Sequence, residues 1–309
     1  MKTLTSLKLG FAALLVCVAG IPAISQISEE RLTAQEIAGK SRDAYAALSS
    51  YADSGITVSK MGSQTNTLAF NTRLQRPNLY RIGWTQKTGL KGVLQSDQGA
   101  VWSDGSGDYF LTTAAGAERS AKPQKMQNMK TALTRAAGLS WSAASAIPGA
   151  FFHQDFGDVF IAPVASGSYP LQKEKDAKVG DIDCYVVSSV IDFSKIPDNK
   201  GKPGTASTTL WIGKKDFLIH QSRTRYVEKV DSNTPPSDQA IDDAIKKSLK
   251  MQNKPATPEA IAAMRPQMKA IMKQVQTTLK SGFESGIVFT QTHENIVVNE
   301  SLSPTDFTR

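Results

Sequence analysis

"GIVFTQTHENIVVNES", residues 286–301, decides how this chain is read. Ile287, Phe289, Gln291, His293, Asn295 and Val297 fall on one side of a period of two, and Val288, Thr290, Thr292, Glu294, Ile296 and Val298 on the other. That alternation is the signature of a β-strand. Each side is apolar at its ends and polar in the middle. Strands usually run roughly 3–10 residues, so an alternation of this length predicts a bulge or strong curvature. Pro304, which lacks an amide donor, ends the pairing.

The same period fills most of the chain upstream. "SGITVSKM", "NTLAFNTRLQ", "NLYRIGWT", "LKGVLQSD", "GAVWSDG" and "GDYFLTT" follow one another from residue 54 to 113, rich in β-branched and aromatic residues. Turn-forming residues separate several of them, which predicts an antiparallel meander. Strands resume with "DVFIAPV", "YPLQKEKD", "IDCYVVSSVIDF", "TASTTLWIG" and "FLIHQSRTRYVEKV". "TTLWIGKKDFLIHQSRTRY" reads as a hairpin turning over Gly213–Asp216. The pattern amounts to a single curved antiparallel sheet of about ten to eleven strands, in a mainly β chain with helices (α+β).

Three segments change to the helical period. Thr33 followed by Glu36 makes a capping box and predicts a helix over 34–48. Met126, Met129, Leu133 and Ala136 form one stripe with Gly138 as its stop, and a second short helix is expected over 141–146, before Pro148. Residues 231–282 read as an inserted helical hairpin. Ile241, Ile245 and Leu249 align on its first helix; Ile261, Met264, Met268, Ile271, Val275 and Leu279 align on its second, with Pro266 in the first turn or at a kink.

The first 25 residues have another purpose. Lys2 and Lys8 precede an apolar run over 9–20, and Ala23 and Ser25 supply small residues for cleavage before Gln26. This is the layout of a secretory signal peptide, with an apolar run too short to span a bilayer comfortably. Residues 26–309 then form a single exported domain, soluble and periplasmic after cleavage. Of the 309 residues, 40% are hydrophobic and 21% charged, as in an ordinary globular protein. The formal charge of +8 falls to +6 without the two leader lysines, and it is spread out apart from a richer patch over 246–280. Diffuse basicity suits an anionic lipid surface, and no nucleic-acid motif is present. Cys184 is the one cysteine left after cleavage, placed in an apolar strand as a small buried hydrophobe.

Chemistry is weakly signalled. His153, His220 and His293 belong to no short metal-ligand spacing, so neither a metal nor another cofactor is expected. "GLSWS" lacks the second glycine of a nucleophile elbow. His293 and Glu294 are adjacent on a strand and point to opposite faces. His220 and His293 could co-operate if their strands pair. No catalytic residue is expected. The aromatics carry more: Trp84, Trp102 and Trp211 sit in predicted strands with Tyr80, Tyr109, Phe110, Tyr185 and Phe217 nearby. Two readings fit them, the walls of an apolar concavity or an ordinary core beneath packed helices.

With its N-terminal "AYAALSSYADSG", "RLQRPNLYRIGW", the hairpin "LWIGKKDFLIHQSRT" and the final "THENIVVNESLSPTDFT", the chain resembles the periplasmic lipoprotein-carrier superfamily (LolA/LolB-like), in particular its branch of uncharacterised periplasmic proteins. The resemblance covers residues 34–308 apart from the insert. It implies an unclosed β-barrel wrapped around a hydrophobic cavity under a helical lid, and binding of lipid acyl chains or lipoproteins without catalysis. On this reading Tyr80, Arg81, Trp84, Trp102, Phe110, Trp211 and Leu218 are the cavity residues. Met264, Met268, Ile271 and Met272 are the lid, or a face for a membrane surface or an envelope partner. Two other functions fit the same residues: an envelope sensor using the same cavity, and a hydrolase built on His220 or His293.

Overall fold

The computed structural model describes residues 32–62, 64–87, 96–114, 122–154, 169–192, 194, 204–228, 237–251, 255–270 and 286–308. The signal-peptide reading and the strand expected over "DVFIAPV" lie outside these residues. So does "LKGVLQSD" except its last two residues, which open a strand.

Thr33 caps the first helix, α1 (Ala34–Ala47), as expected: its side chain accepts the Glu36 amide, and the Glu36 carboxylate accepts the Thr33 amide at 2.8 Å. Six strands follow: β1 (Ser50–Met61), β2 (Gln64–Gln75), β3 (Leu79–Lys87), β4 (Ser96–Ser103), β5 (Asp108–Ala114) and the short β6 (Gln124–Met126). The helices α2 (Met129–Leu139) and α3 (Ala146–Phe152) come next. After them run β7 (Gln172–Lys173), β8 (Ala177–Val179), β9 (Ile182–Asp192), β10 (Gly204–Gly213) and β11 (Ile219–Glu228). The insert carries α4 (Asp238–Met251) and a helix over 258–270, α5. β12 (Ile287–Val298) and a 3₁₀ turn, Pro304–Phe307, end the described chain.

All twelve strands belong to one antiparallel sheet in the order β6-β5-β4-β3-β2-β1-β12-β11-β10-β9-β7, with β8 beside β9. The path runs out at β6 and β7, so the sheet is open. The last strand is central, joining the meander that begins at β1 to the strands that end at β11.

The expected irregularity in β12 is a bulge. The register slips between Ala52 and Ser54 of β1, and Asn295 takes a left-handed φ of 52°. The extra residue exchanges the faces beyond it. Val298, not Val297, stands opposite the buried Tyr51, and Asn295 donates to Ser54 Oγ.

Three corrections concern helices. Residues 141–145 are a turn, and α3 begins where a helix was expected to end. Pro148 is accommodated because it falls in the first turn of α3, where amide donors have no intrahelical partner. Met126 lies in β6, and α2 continues past Gly138 to Leu139. In the insert, the second helix starts earlier than its apolar stripe, at Pro258 with Thr257 as its cap, so of the two places expected for Pro266 the first turn is excluded.

α1, α2 and α3 cover the concave face. Tyr45 of α1 packs on Tyr51, Arg135 of α2 lies over the Phe110 ring at 4.6 Å, and Phe152 of α3 meets Tyr80 edge-on. The inserted hairpin buries its own stripes. Ile241, Ile245, Leu249 and Ile261 form a small core with Met264 and Met268 against it, and Arg265 forks onto Asp242 at 2.9 and 2.7 Å. Among the described residues, no helix is long and apolar enough to cross a membrane.

Candidate functional site

A cleft opens where α2 gives way to the turn before α3. Ser140 ends α2 by donating its amide to Ala136, and the Ser142 amide reaches the Ala137 carbonyl at 2.9 Å. Trp141 and Ser142 both take left-handed φ values, 48° and 71°, which non-glycine residues seldom adopt. Bonds from the amides of Ala143, Ser145 and Ala146 back to Ser140 and Ser142 hold the turn, with the Ser140 hydroxyl accepting from Ala144. The result is a tryptophan thrown over the sheet, its ring 6.1 Å from that of Phe289 on β12.

Below this turn lies a cavity of about 360 Å³, open on one side. Ala137, Gly138, Trp141 and Ser142 form its helical wall, and β1, β12 and β11 form its floor. Alternation puts Thr57 of β1, the odd-numbered residues Ile287, Phe289 and Gln291 of β12, and the even-numbered Ser222, Thr224 and Tyr226 of β11 on this face. The register aligns them in rows. Thr57, Gln291 and Ser222 make a polar row, Phe289 and Thr224 the next, and Ile287 and Tyr226 an apolar row. The polar row is the buried end, with Thr57 at 0% and Gln291 at 2% exposure, while Phe289, Ile287 and Tyr226 are half-buried. A pocket of this size suits one small apolar ligand.

The residues expected to line a cavity are dispersed. Tyr80, Trp84 and Phe110 do share the concave face, yet all three are buried in the core beneath α2 and α3. Tyr80 donates to Asp108 at 2.7 Å, and Trp84 packs 6.3 Å from Phe110. Arg81, Trp102 and Trp211 are turned to the opposite face by strand alternation. There Arg81 donates to the Thr308 carbonyl, Trp102 stacks on Tyr109, and Trp211 stands between Val186 and Gln221. Leu218 is buried in the β10–β11 turn. None of the seven lines this cleft. Met264 and Met268 are taken up by the hairpin's own core, and Ile271 and Met272 lie outside the described residues.

Sequence reasoning passed over Trp141, read as part of a helix, and Thr57. It placed Ile287, Phe289 and Gln291 on a common side without seeing what they face. It also passed over Arg76. The Arg76 guanidinium donates to the carbonyls of Leu48 at 2.8 Å and Phe151 at 2.7 Å, with Tyr45 and Ala46 slightly farther, and stacks 4.6 Å over the Phe151 ring. This one side chain ties the end of α1 to α3.

Two histidines lie deeper on the same face, each held by a carboxylate. His293 Nδ1 is 2.6 Å from Asp53 Oδ2, which also accepts from the Tyr51 hydroxyl at 2.9 Å. Burial, then the Asp53 charge, push the Tyr51 hydroxyl well above its ordinary pKa. His220 Nε2 is 2.9 Å from Asp216 Oδ2. Their strands do pair, and Gln221 opposite Thr292 puts His220 and His293 one position further along neighbouring strands. Among the described residues, no group of three or more metal-ligating side chains is assembled.

Solved structures align with most of this chain at low identity. A LolA superfamily protein from Nitrosomonas europaea aligns over 90% of this chain and 98% of its own, at 10% identity and a TM-score of 0.30. LprF from Mycobacterium bovis aligns over 87% and 94%, at 12% identity and 0.41. The Mycobacterium tuberculosis lipoprotein LppX aligns over 87% and 97%, at 10% identity and 0.38. No family model and no curated protein matches the chain by sequence.

Proposed function

We propose that this is an exported, non-catalytic binding protein that holds acyl chains of lipids or lipoproteins in the cleft beneath Trp141. One observation carries the reading: an open cavity of about 360 Å³ with Trp141, Phe289, Ile287 and Tyr226 around its accessible part and no charged residue among the described residues lining it. Such a surface recognises apolar length rather than charge, and each CH₂ it removes from water contributes about 0.8 kcal/mol. The Trp141 turn, held in a strained backbone by its own hydrogen bonds, supplies the cover. His220 and His293 are each engaged by a neighbouring carboxylate and do not line the cavity.

Native mass spectrometry of protein gently purified from the envelope of its own host tests the reading. Co-purifying acyl lipid is expected, lost or reduced in Phe289→Ser. Protein that is empty in every preparation and takes up no added acyl chain overturns it.

A further inference from the structure

The cleft's buried end is built for hydrogen bonding, and its bonds are unmade. Neither Gln291 Nε2 nor Gln291 Oε1 finds a partner among the described residues, and neither does Thr57 Oγ1. Both side chains line the cavity and are almost wholly buried. They are not incidental neighbours: Thr57 and Gln291 are directly opposed across β1 and β12, and Ser222 opposes Gln291 from β11. The next polar pair, Thr224 and Thr208, is satisfied internally by a 3.1 Å hydroxyl–hydroxyl bond. A buried polar group left without a partner costs about 1–3 kcal/mol, and here three such atoms belong to two residues opposed across β1 and β12 at one end of one cavity.

Resting on the reading of this cleft as a site for acyl chains, we infer that it selects a neutral amphiphile whose polar group enters first, a hydroxyl or amide that both donates and accepts. The Gln291 amide offers a donor and an acceptor side by side, and the Thr57 hydroxyl offers either. The apolar rows, Phe289 and then Ile287 with Tyr226, lead from that floor toward the half-buried part of the cleft, where the chain lies. No lysine, arginine, aspartate or glutamate is among the described lining residues. A phosphate or carboxylate driven to this depth would lose its hydration with no cation among those residues to receive it. A hydroxyl or amide loses less and recovers its bonds on Gln291 and Thr57.

Isothermal titration of the full mature chain with 1-decanol, decyl methyl ether and decyl phosphate tests the inference. The ether keeps the chain and an acceptor oxygen but has no donor. Decanol is expected to bind about tenfold more tightly than the ether, as one additional buried hydrogen bond implies, and decyl phosphate more weakly than either. Thr57→Val, which keeps the side chain's shape, and Gln291→Leu should each bring decanol and ether to within about twofold, decanol losing more of its affinity than the ether. Each should also hold or raise the unliganded Tm, because each removes unpaired buried polar atoms. A decanol preference unchanged in both variants, or a preference for the phosphate, overturns the inference and leaves the acyl-chain reading standing. Binding of none of the three ligands overturns both.

Discussion

Asp53 and His293, 240 residues apart in the chain, meet at 2.6 Å with essentially no solvent access. Their contact spans β1 and β12, the seam between the two halves of the sheet. Phe70 closes over the imidazole edge-on, 5.4 Å between ring centres. Asp53→Ala leaves the imidazole and the Tyr51 hydroxyl buried without their acceptor and should cost about 3 kcal/mol. Urea unfolding measures this, and Asp53→Ala with His293→Ala should cost less than the sum of the single changes. Strict additivity would show that the two residues do not act as a pair.

Arg76 satisfies carbonyls at the end of α1 and in α3 at once. Charged hydrogen bonds of this kind contribute roughly 1.5–3 kcal/mol each before partial replacement by water. Arg76→Met keeps the apolar stem and removes the donors, so a loss of about 2 kcal/mol is expected. Hydrogen exchange should quicken in the last turn of α1 and in α3 before it quickens in β1–β3. Uniform quickening would show that the arginine does not specifically join the helices.

Gly55 is a glycine for lack of room. A Cβ at this position would collide with the Thr292 carbonyl of β12 and the Phe70 ring. The carbonyl belongs to the sheet ladder and has nowhere to go. Gly55→Ala should therefore destabilise by about 1–3 kcal/mol despite the alanine's better strand propensity. A thermal melt unchanged from that of the wild type would refute this.

Asp216 sets an acid limit. Burial works to raise its carboxyl, but the hydrogen bonds from His220 and from the Leu218 amide outweigh that and hold it below the ordinary value of 3.8. A carboxyl depressed in the folded state contributes stability that is complete above the unfolded value and is lost as pH falls through the folded one. Between pH 5 and pH 2 the wild-type protein should lose stability more steeply than Asp216→Asn, as read by denaturant midpoints across that range. Parallel slopes would remove Asp216 from the acid response.

Cys184 should be inert. It is fully buried, and burial, then the nearby Asp216 charge, pushes its thiol up to about 11. Alkylation by iodoacetamide at pH 8 is expected to be negligible in the native protein and rapid in urea. Comparable rates in the two states would contradict its placement.

What the sequence by itself determined is local. Strand alternation, the Thr33–Glu36 capping box, the β10–β11 hairpin and the helical hairpin of the insert follow from residues close together in the chain, because side-chain period and capping are properties of adjacent positions. Even the irregularity of β12 was legible, in the length of its alternation. The bulge's exact site was not, so Val297 was assigned the face that Val298 occupies.

The candidate site was decided by tertiary structure. An aromatic in a strand has two faces open to it, and the sequence does not say which face the neighbouring strands and helices will cover. So Trp84 and Phe110 went to the core and Trp102 and Trp211 to the opposite face. Trp141 reached the cleft because two left-handed residues, stabilised by bonds from the following turn, interrupt a helical pattern. Gln291 and Thr57 looked like ordinary polar positions on two half-buried strands. Only the pairing of the last strand with the first sets them side by side, and such pairing depends on burial summed over the whole sheet rather than on any neighbouring residues.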